Sequence, residues 1–452
     1  MSTPQENPRT GQFSEFTRWL RENAHRLETI DPSADVGDSG SADLAPLAAM
    51  VQDARVVAVG ENSHFISEFA LVRHRLVRFL VEECGFTAVA FESGFSEGFA
   101  IDEWTRGGGE LADLDRLAEY NIPSGTARPK EVRDILCWLR EYNGHSANAT
   151  TPVQFLGVDV PEAAGAVLNS LDPVITFAEE VDPALLPLLR RTRELAKIPA
   201  GRTMAHAAPR YLEMPDDQRD ALTAGISRLI DYVDCVADRY IAVVSQERFD
   251  VVRWHLEAAR SGDHHLRAIA SAYDGTALPA SATSRERFMA ASVRWWLERL
   301  GPDAKIVLLA HNAHIQRTPV VYEGELQVYP MGYHLGRDLG DEYVSVGVTS
   351  STGTTAALEP DGSAEPYGFR VDALQLEEPE DGSVEAAFTD SGADLSLAVL
   401  RGFREGENGE GSHAALPDRV RMDSDYIHTP VIEAFDAMVH VPTSTVAEDL
   451  GL

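Results

Sequence analysis

Residues 55–64 read Arg-Val-Val-Ala-Val-Gly-Glu-Asn-Ser-His. Four consecutive apolar residues, Val56 to Val59, show no alternation of inward and outward positions, so the segment reads as a strand buried on both faces. Such strands belong to parallel sheets covered by helices, and the next residues carry a helical pattern over about 66–83. The same texture returns at 87–92 (TAVAFE), 153–159 (VQFLGVD), 305–311 (KIVLLAH) and 343–349 (YVSVGVT). Helical patterns at 130–142 and 284–300 lie between them. The alternation predicts an α/β fold, a three-layer sandwich with a mainly parallel central sheet.

Outward from that core, residues 1–12 read as a disordered tail and 13–27 as a helix. The stretch 13–160 forms the first part of the α/β core. Residues 161–281 lack a strand pattern and carry Leu/Ala/Arg helical runs at 185–195, 217–236 and 248–272, a helical insertion expected to act as lid or substrate wall. The core resumes over 282–452, with small strands expected at 367–371, 383–388 and 395–400 and a loop at 404–413.

The 39 Lys and Arg against 72 Asp and Glu of the 452-residue chain leave a net charge of −33. A phosphate backbone or an anionic membrane surface would be repelled, so neither is an expected partner. No run approaches the ~18–20 apolar residues of a membrane span, and the polar N-terminus lacks the apolar core of a secretion signal. The three cysteines, Cys84, Cys137 and Cys235, form no CxxC pair, which points to a reducing cytoplasm. The expected assembly is a monomer or small homo-oligomer.

Parallel sheets bind ligands beyond the carboxyl ends of their strands. There the chain places Glu61 and His64, then Glu92, then Asp159, then His311-Asn312-Ala313-His314. Four of five strands thus deliver an acid or a histidine to one rim. In the helix after the first strand, Arg73 falls inside the stripe Ile66, Phe69, Leu76, Leu80. A core-facing arginine must be paired, since its desolvation costs several kcal/mol, and Glu61 and Glu92 are the candidate partners. On a continuous helix Arg73 would face away from His64, so His64 belongs to the strand–helix loop, with Asn62 or Ser63 near the N-cap. Each residue alone has a plainer role: His64 as a cap, Glu92 as an ion-pair partner, Asp159 as a cap, the two HNAH histidines as packing groups. Two imidazoles one turn apart also resemble half a zinc site, but GENSH is not HExxH, and neither metal nor cofactor is expected.

The constellation resembles the erythromycin esterase family, which also includes succinoglycan-biosynthesis proteins. The resemblance is carried by Gly60-Glu61-Asn62-Ser63-His64 with Arg73, TAVAFE with Glu92 and then Ser96-Glu97-Gly98, and Glu131 with CWLREYN. FLGVD ending at Asp159, RERFMA from Arg285, HNAH from His311 and MGYHLGRDLGDEYVSVG from Met331 complete it. It spans about residues 45–350, and departs from the family pattern at Asn62-Ser63 and Ala291-Ser292. It implies a metal-independent hydrolase of cyclic esters such as a macrolactone, of use in antibiotic resistance or natural-product biosynthesis. The catalytic residues carried over are Glu61, His64, Arg73, Glu92 and His311. Substrate contacts are expected from His314, Asp159, Asn312, Ser93, Arg287, Met331 and His334.

A GxSxG nucleophile elbow is not expected and no cysteine stands in a motif with a histidine, so a covalent Ser or Cys nucleophile is not expected. Histidines and carboxylates suit general-base activation of water. His64 would take the proton, with Glu61 or Glu92 holding its imidazole. Arg73 would fix the carboxylates, while His311, backed by His314, would polarise the acyl oxygen or protonate the leaving alkoxide. The same groups would also serve a dehydratase, lyase or cyclase acting on a natural-product intermediate. A non-catalytic protein that binds a small molecule, and a metal-dependent enzyme, are further readings.

Overall fold

The computed structural model describes residues 14–34, 41–145, 150–161, 165–276, 278, 281–322, 326–361, 363–364, 367–405, 416–448 and 450. The expected tail over 1–12 and most of the expected loop at 404–413 lie outside them, and the loop's first two residues, Arg404 and Glu405, belong instead to the helix Leu400–Glu405. The strands among them are β1 (His25–Arg26), β2 (Val56–Val59), β3 (Ala88–Gly94), β4 (Gln154–Asp159), β5 (Ile306–Leu309), β6 (Val320–Tyr322), β7 (Leu326–Val328), β8 (Tyr343–Pro360), β9 (Phe369–Gln375), β10 (Ser396–Ala398), β11 (Arg419–Met422), β12 (Asp425–His428) and β13 (Ala437–Ser444). Two compact units emerge, one of Met1–Thr87, Asp303–Ala357 and Asp372–Asp449, the other mainly of Ala88–Pro302.

In the first unit β2 is the hub. All four of its residues are buried, as a strand covered on both faces requires. It pairs in parallel with β5 (Val56 opposite Ile306) and with β8 (Val56 opposite Tyr343). β13 continues the parallel set beside β8, and β10 and then β1 close that edge antiparallel. The mainly parallel sheet read from the apolar runs is therefore present. A separate antiparallel sheet runs β11-β12-β6-β7. The helix Ser67–Glu82 buries Phe69, Leu76 and Leu80, the stripe expected of it.

The C-terminal expectations were partly misplaced. Residues 383–388, expected as a strand, begin the helix Val384–Ser391. Ser383 caps it by accepting the Ala386 N–H at 3.0 Å, and Gly392 ends it in the left-handed region at φ 71°. A helix start and stop outweigh a short run of apolar residues. The helix expected over 13–27 stops at Asn23, and His25–Arg26 pairs with β10 instead.

In the second unit β3 and β4 run parallel, with an irregularity in register between Phe91 and Gly94. Among the described residues, 161–281 contain helices and no strand. Asp216–Cys235 buries Leu222, Ile226, Leu229 and Val233, spaced as one helical stripe, and the long helix Gln246–Tyr273 is capped by Ser245. The helix Phe95–Thr105 lies close on β4: a Cβ on Gly98 would meet the Gly157 nitrogen at 2.4 Å.

Candidate active site

β2 ends at Val59, and Gly60 to Ile66 form the loop before the helix Ser67–Glu82. Ile66, not Asn62 or Ser63, is the N-cap, and no side chain caps the helix. The loop is held by its backbone instead. Gly60 N–H donates to the Val346 carbonyl (2.9 Å), Asn312 N–H to the Glu61 carbonyl (2.8 Å), and Ala447 N–H to the Phe65 carbonyl (2.8 Å). Gly60 is required by crowding, since a Cβ there would lie 1.9 Å from Asn312 Oδ1. Phe65, next to His64, adopts φ 63°, a conformation that costs an L-residue of this size about 1 kcal/mol or more.

Between this loop and the helix that follows it lies an array of charged and titratable groups. Arg73, buried on its helix, places Nη1 2.5 Å from Glu61 Oε1. The same oxygen lies 2.9 Å from His64 Nδ1. Arg73 is thus paired as its place in an apolar stripe demands, and Glu61 is its partner. Burial by itself pushes the Glu61 carboxyl up, but the Arg73 charge and the His64 hydrogen bond outweigh it and pull the pKa down to about 2. Glu61 is therefore ionised throughout the neutral range. A carboxylate facing Nδ1 specifies the Nδ1–H tautomer of His64 and makes Nε2 its basic nitrogen.

The His64 and His311 ring centroids are 5.3 Å apart, so two histidines distant in sequence share one place in this unit. Their protonation patterns are opposite. His311 caps the turn Asn312–Ile315, its Nδ1 accepting the Ala313 N–H at 3.2 Å. Its Nε2 then carries the proton, donated to the Asn62 carbonyl at 2.9 Å. That carbonyl also accepts the Asp423 N–H at 2.6 Å. Asn62 in turn donates from Nδ2 to Thr349 Oγ1 (3.1 Å), and Thr349 donates to Glu385 Oε1 (2.5 Å). Burial raises the Glu385 carboxyl above its ordinary value.

The expected substrate-contacting residues fall in varied places. The Asn312 amide is committed on both sides, Nδ2 to the Val348 carbonyl (2.8 Å) and Oδ1 to the Val348 N–H (3.2 Å). It joins β5 to β8 and offers a ligand little. His314 is half-buried, with its ring centroid 6.4 Å from that of His311. Met331 is buried and His334 half-buried on the helix Met331–Leu339, which packs so closely that a Cβ on Gly332 would meet the Ile315 carbonyl oxygen at 2.0 Å.

In the second unit Glu92 and Asp159 share Arg285, with Nη2 2.9 Å from Glu92 Oε1 and 2.6 Å from Asp159 Oδ2. Arg285 Nε also donates to Asp159 Oδ1 at 3.0 Å. Burial works against the Arg285 charge, but Asp159 and Glu92 more than compensate and raise its pKa. The RERFMA arginine that binds these carboxylates is thus Arg285, whereas Arg287 is exposed. Ser93 is fully buried.

Contrary to the expectation drawn from the sequence, the chain does hold a GxSxG string, Gly94-Phe95-Ser96-Glu97-Gly98, running from the last residue of β3 into the first turn of the helix Phe95–Thr105. Ser96 Oγ lies 2.8 Å from His255 Nδ1 and 2.7 Å from Ser170 Oγ. It opens on a cavity of about 710 Å³ lined also by Tyr120, Asn169, Asp172, Arg202 and His206. The pair does not have the form of a nucleophile elbow. Ser96 is not among the residues at positive φ, as the strained elbow serine would be. Burial pushes the His255 imidazole down to about 3, too low for an effective base near neutrality. The glycines have packing roles: a Cβ on Gly94 would lie 2.1 Å from Glu97 Oε2, and Gly98 abuts Gly157.

Among the described residues no group of three or more His, Cys, Asp and Glu is arranged to hold a metal ion. No helix among them is long and apolar enough to cross a membrane.

Comparison with known proteins gives a consistent result. The family model for Erythromycin esterase matches residues 81–444. Erythromycin esterase type II of Escherichia coli is 33% identical over 433 residues, covering 96% of this chain and 99% of that protein. Erythromycin esterase type I of Escherichia coli is 27% identical over 406 residues, 88% of this chain and 93% of that protein. A solved structure, a mutant of the erythromycin esterase EreC in its open conformation, matches with a TM-score of 0.82 at 25% identity, covering 95% of this chain and 100% of that one.

Proposed function

This chain belongs to the erythromycin esterase family, an esterase-like hydrolase, and from that premise we propose that it opens a macrolactone by His64-assisted attack of water. The observation that carries the proposal is the array Arg73–Glu61–His64, at 2.5 and 2.9 Å. Arg73 keeps Glu61 ionised and fixed. Glu61 holds the His64 ring with its proton on Nδ1, so that Nε2 takes the proton from a water as the water oxygen bonds to the lactone carbonyl carbon. The carbonyl electrons move onto its oxygen. When that tetrahedral oxyanion collapses, the ring C–O bond breaks and the imidazolium returns its proton to the leaving alkoxide. The product is a hydroxy acid, one water heavier than the lactone. A positioned proton-transfer group of this kind contributes roughly 10²–10⁴ in rate.

His311 supports the reaction in two ways. Its bond to the Asn62 carbonyl steadies the loop that carries His64, and its ring lies near enough to reach an ester held at His64. Nε2–H would have to exchange Asn62 for the acyl oxygen to polarise it. Glu61, rather than Glu92, serves as the orienting carboxylate.

Mass spectrometry of a macrolide panel tests the proposal. Hydrolysis adds about 18 mass units, or about 20 in ¹⁸O-labelled water, to at least one macrolactone. A product with no added oxygen would instead establish elimination or rearrangement and reject the water attack.

A further inference from the structure

The hairpin joining β11 to β12 turns through Asp423 and Ser424, since Met422 pairs with Asp425. Asp423 takes φ 55°, while Ser424 is not at positive φ. The first position of a two-residue hairpin loop with positive φ is ordinarily glycine, because a Cβ there is strained. Here the residue is an aspartate, which tolerates positive φ better than most side chains do, and its side chain is half exposed. Asp423 Oδ1 lies 3.9 Å from His311 Nε2, and Asp423 N–H donates to the same Asn62 carbonyl that accepts the His311 Nε2–H. The hairpin tip is therefore bonded to the loop bearing Glu61 and His64, with a negative charge facing the ring behind it.

We propose that Asp423 is a positioning residue of the site, holding the proton on His311 Nε2 and stabilising the imidazolium when His311 is charged. This role rests on the reading of His64 and His311 as the reacting pair. In the neutral ring Nδ1 accepts the Ala313 N–H, so a second proton at Nδ1 breaks that cap and needs an outside charge to offset the loss. The other titratable groups near the ring are His64, from the loop after β2, and His314, on the turn that His311 caps. Both are histidines that would oppose a positive charge; the Glu61 carboxylate beyond His64 is shared between that ring and Arg73, whereas Asp423 faces the His311 ring itself.

The test is an NMR titration of the His311 imidazole in the full chain and in Asp423→Asn and Asp423→Gly, with no substrate added. Asparagine accepts the left-handed conformation and glycine relieves it, so both variants keep the turn. The expected result is a His311 titration about half a pH unit or more lower in both variants. A His311 titration identical in all three proteins would overturn the proposal, leaving Asp423 a turn residue. The NMR result stands apart from the reaction itself: failure of the wild type to open any lactone would retire the hydrolase reading without altering it.

Discussion

Two arginine–carboxylate clusters of this protein, one at Arg73 and one at Arg285, serve different ends. Arg73 binds Glu61, which also binds a histidine, and so the carboxylate faces one group that never releases its proton and one that readily does. Arg285 binds Glu92 and Asp159 together, and Asp159 accepts the Val160 N–H as well, at 2.7 Å. In the proposed reaction the first cluster moves a proton. The second is a fixed knot of charge that ties the ends of β3 and β4 to the helix Ser284–Leu300. Both residue sets look alike in sequence, a strand end with an acid and a helical arginine, and the histidine makes the difference. An arginine–carboxylate pair becomes proton-handling machinery where the carboxylate has an oxygen shared with an imidazole.

The contrast can be broken by substitution. Glu61→Gln presents an amide to His64 Nδ1 and no longer enforces its tautomer; kcat for lactone opening should fall by about 10²–10⁴, with circular dichroism reporting the folded fraction. Arg285→Met leaves the buried Asp159 and the half-buried Glu92 beside an apolar chain, so urea unfolding should show a loss of up to about 3–5 kcal/mol, the cost of stripping a buried ion pair of one partner. Gly60→Ala drives a methyl into Asn312 Oδ1 and should cost about 1–3 kcal/mol, with activity falling too because the loop bearing His64 must shift. A smaller effect separates the clusters by pH. The lowered pKa of Glu61 means that the unfolded chain binds its proton first as pH falls, so its stabilising contribution is present above the ordinary value of 4.5 and is lost toward 2. Between those limits Glu61→Gln should flatten the dependence of unfolding free energy on pH by up to about 1.4 kcal/mol per pH unit.

Much of this was legible in the residues. Val56–Val59 could only be a doubly covered strand, and an arginine in the stripe of Phe69, Leu76 and Leu80 had to find a carboxylate. Which carboxylate was not legible, because Glu61 and Glu92 both follow apolar runs and the choice depends on facing. Backbone acceptors leave no trace in sequence, so the engagement of His311 with the Asn62 carbonyl could not be read. Nor could Asp423, whose meaning comes from a positive φ at a hairpin tip. Ser383 and Gly392 do carry a legible helix start and stop, which outweigh the short apolar run between them. The GxSxG string was legible too, and only its helical backbone and the depressed basicity of His255 separate it from a nucleophile.

The most direct test sets the two histidine pairs against each other on one substrate. For a macrolactone that the wild type opens, kcat/KM of His64→Ala should fall by about 10²–10⁴ while that of Ser96→Ala stays within about twofold. Full activity in His64→Ala, with turnover abolished in a folded Ser96→Ala, would contradict the account and move the chemistry to the second unit.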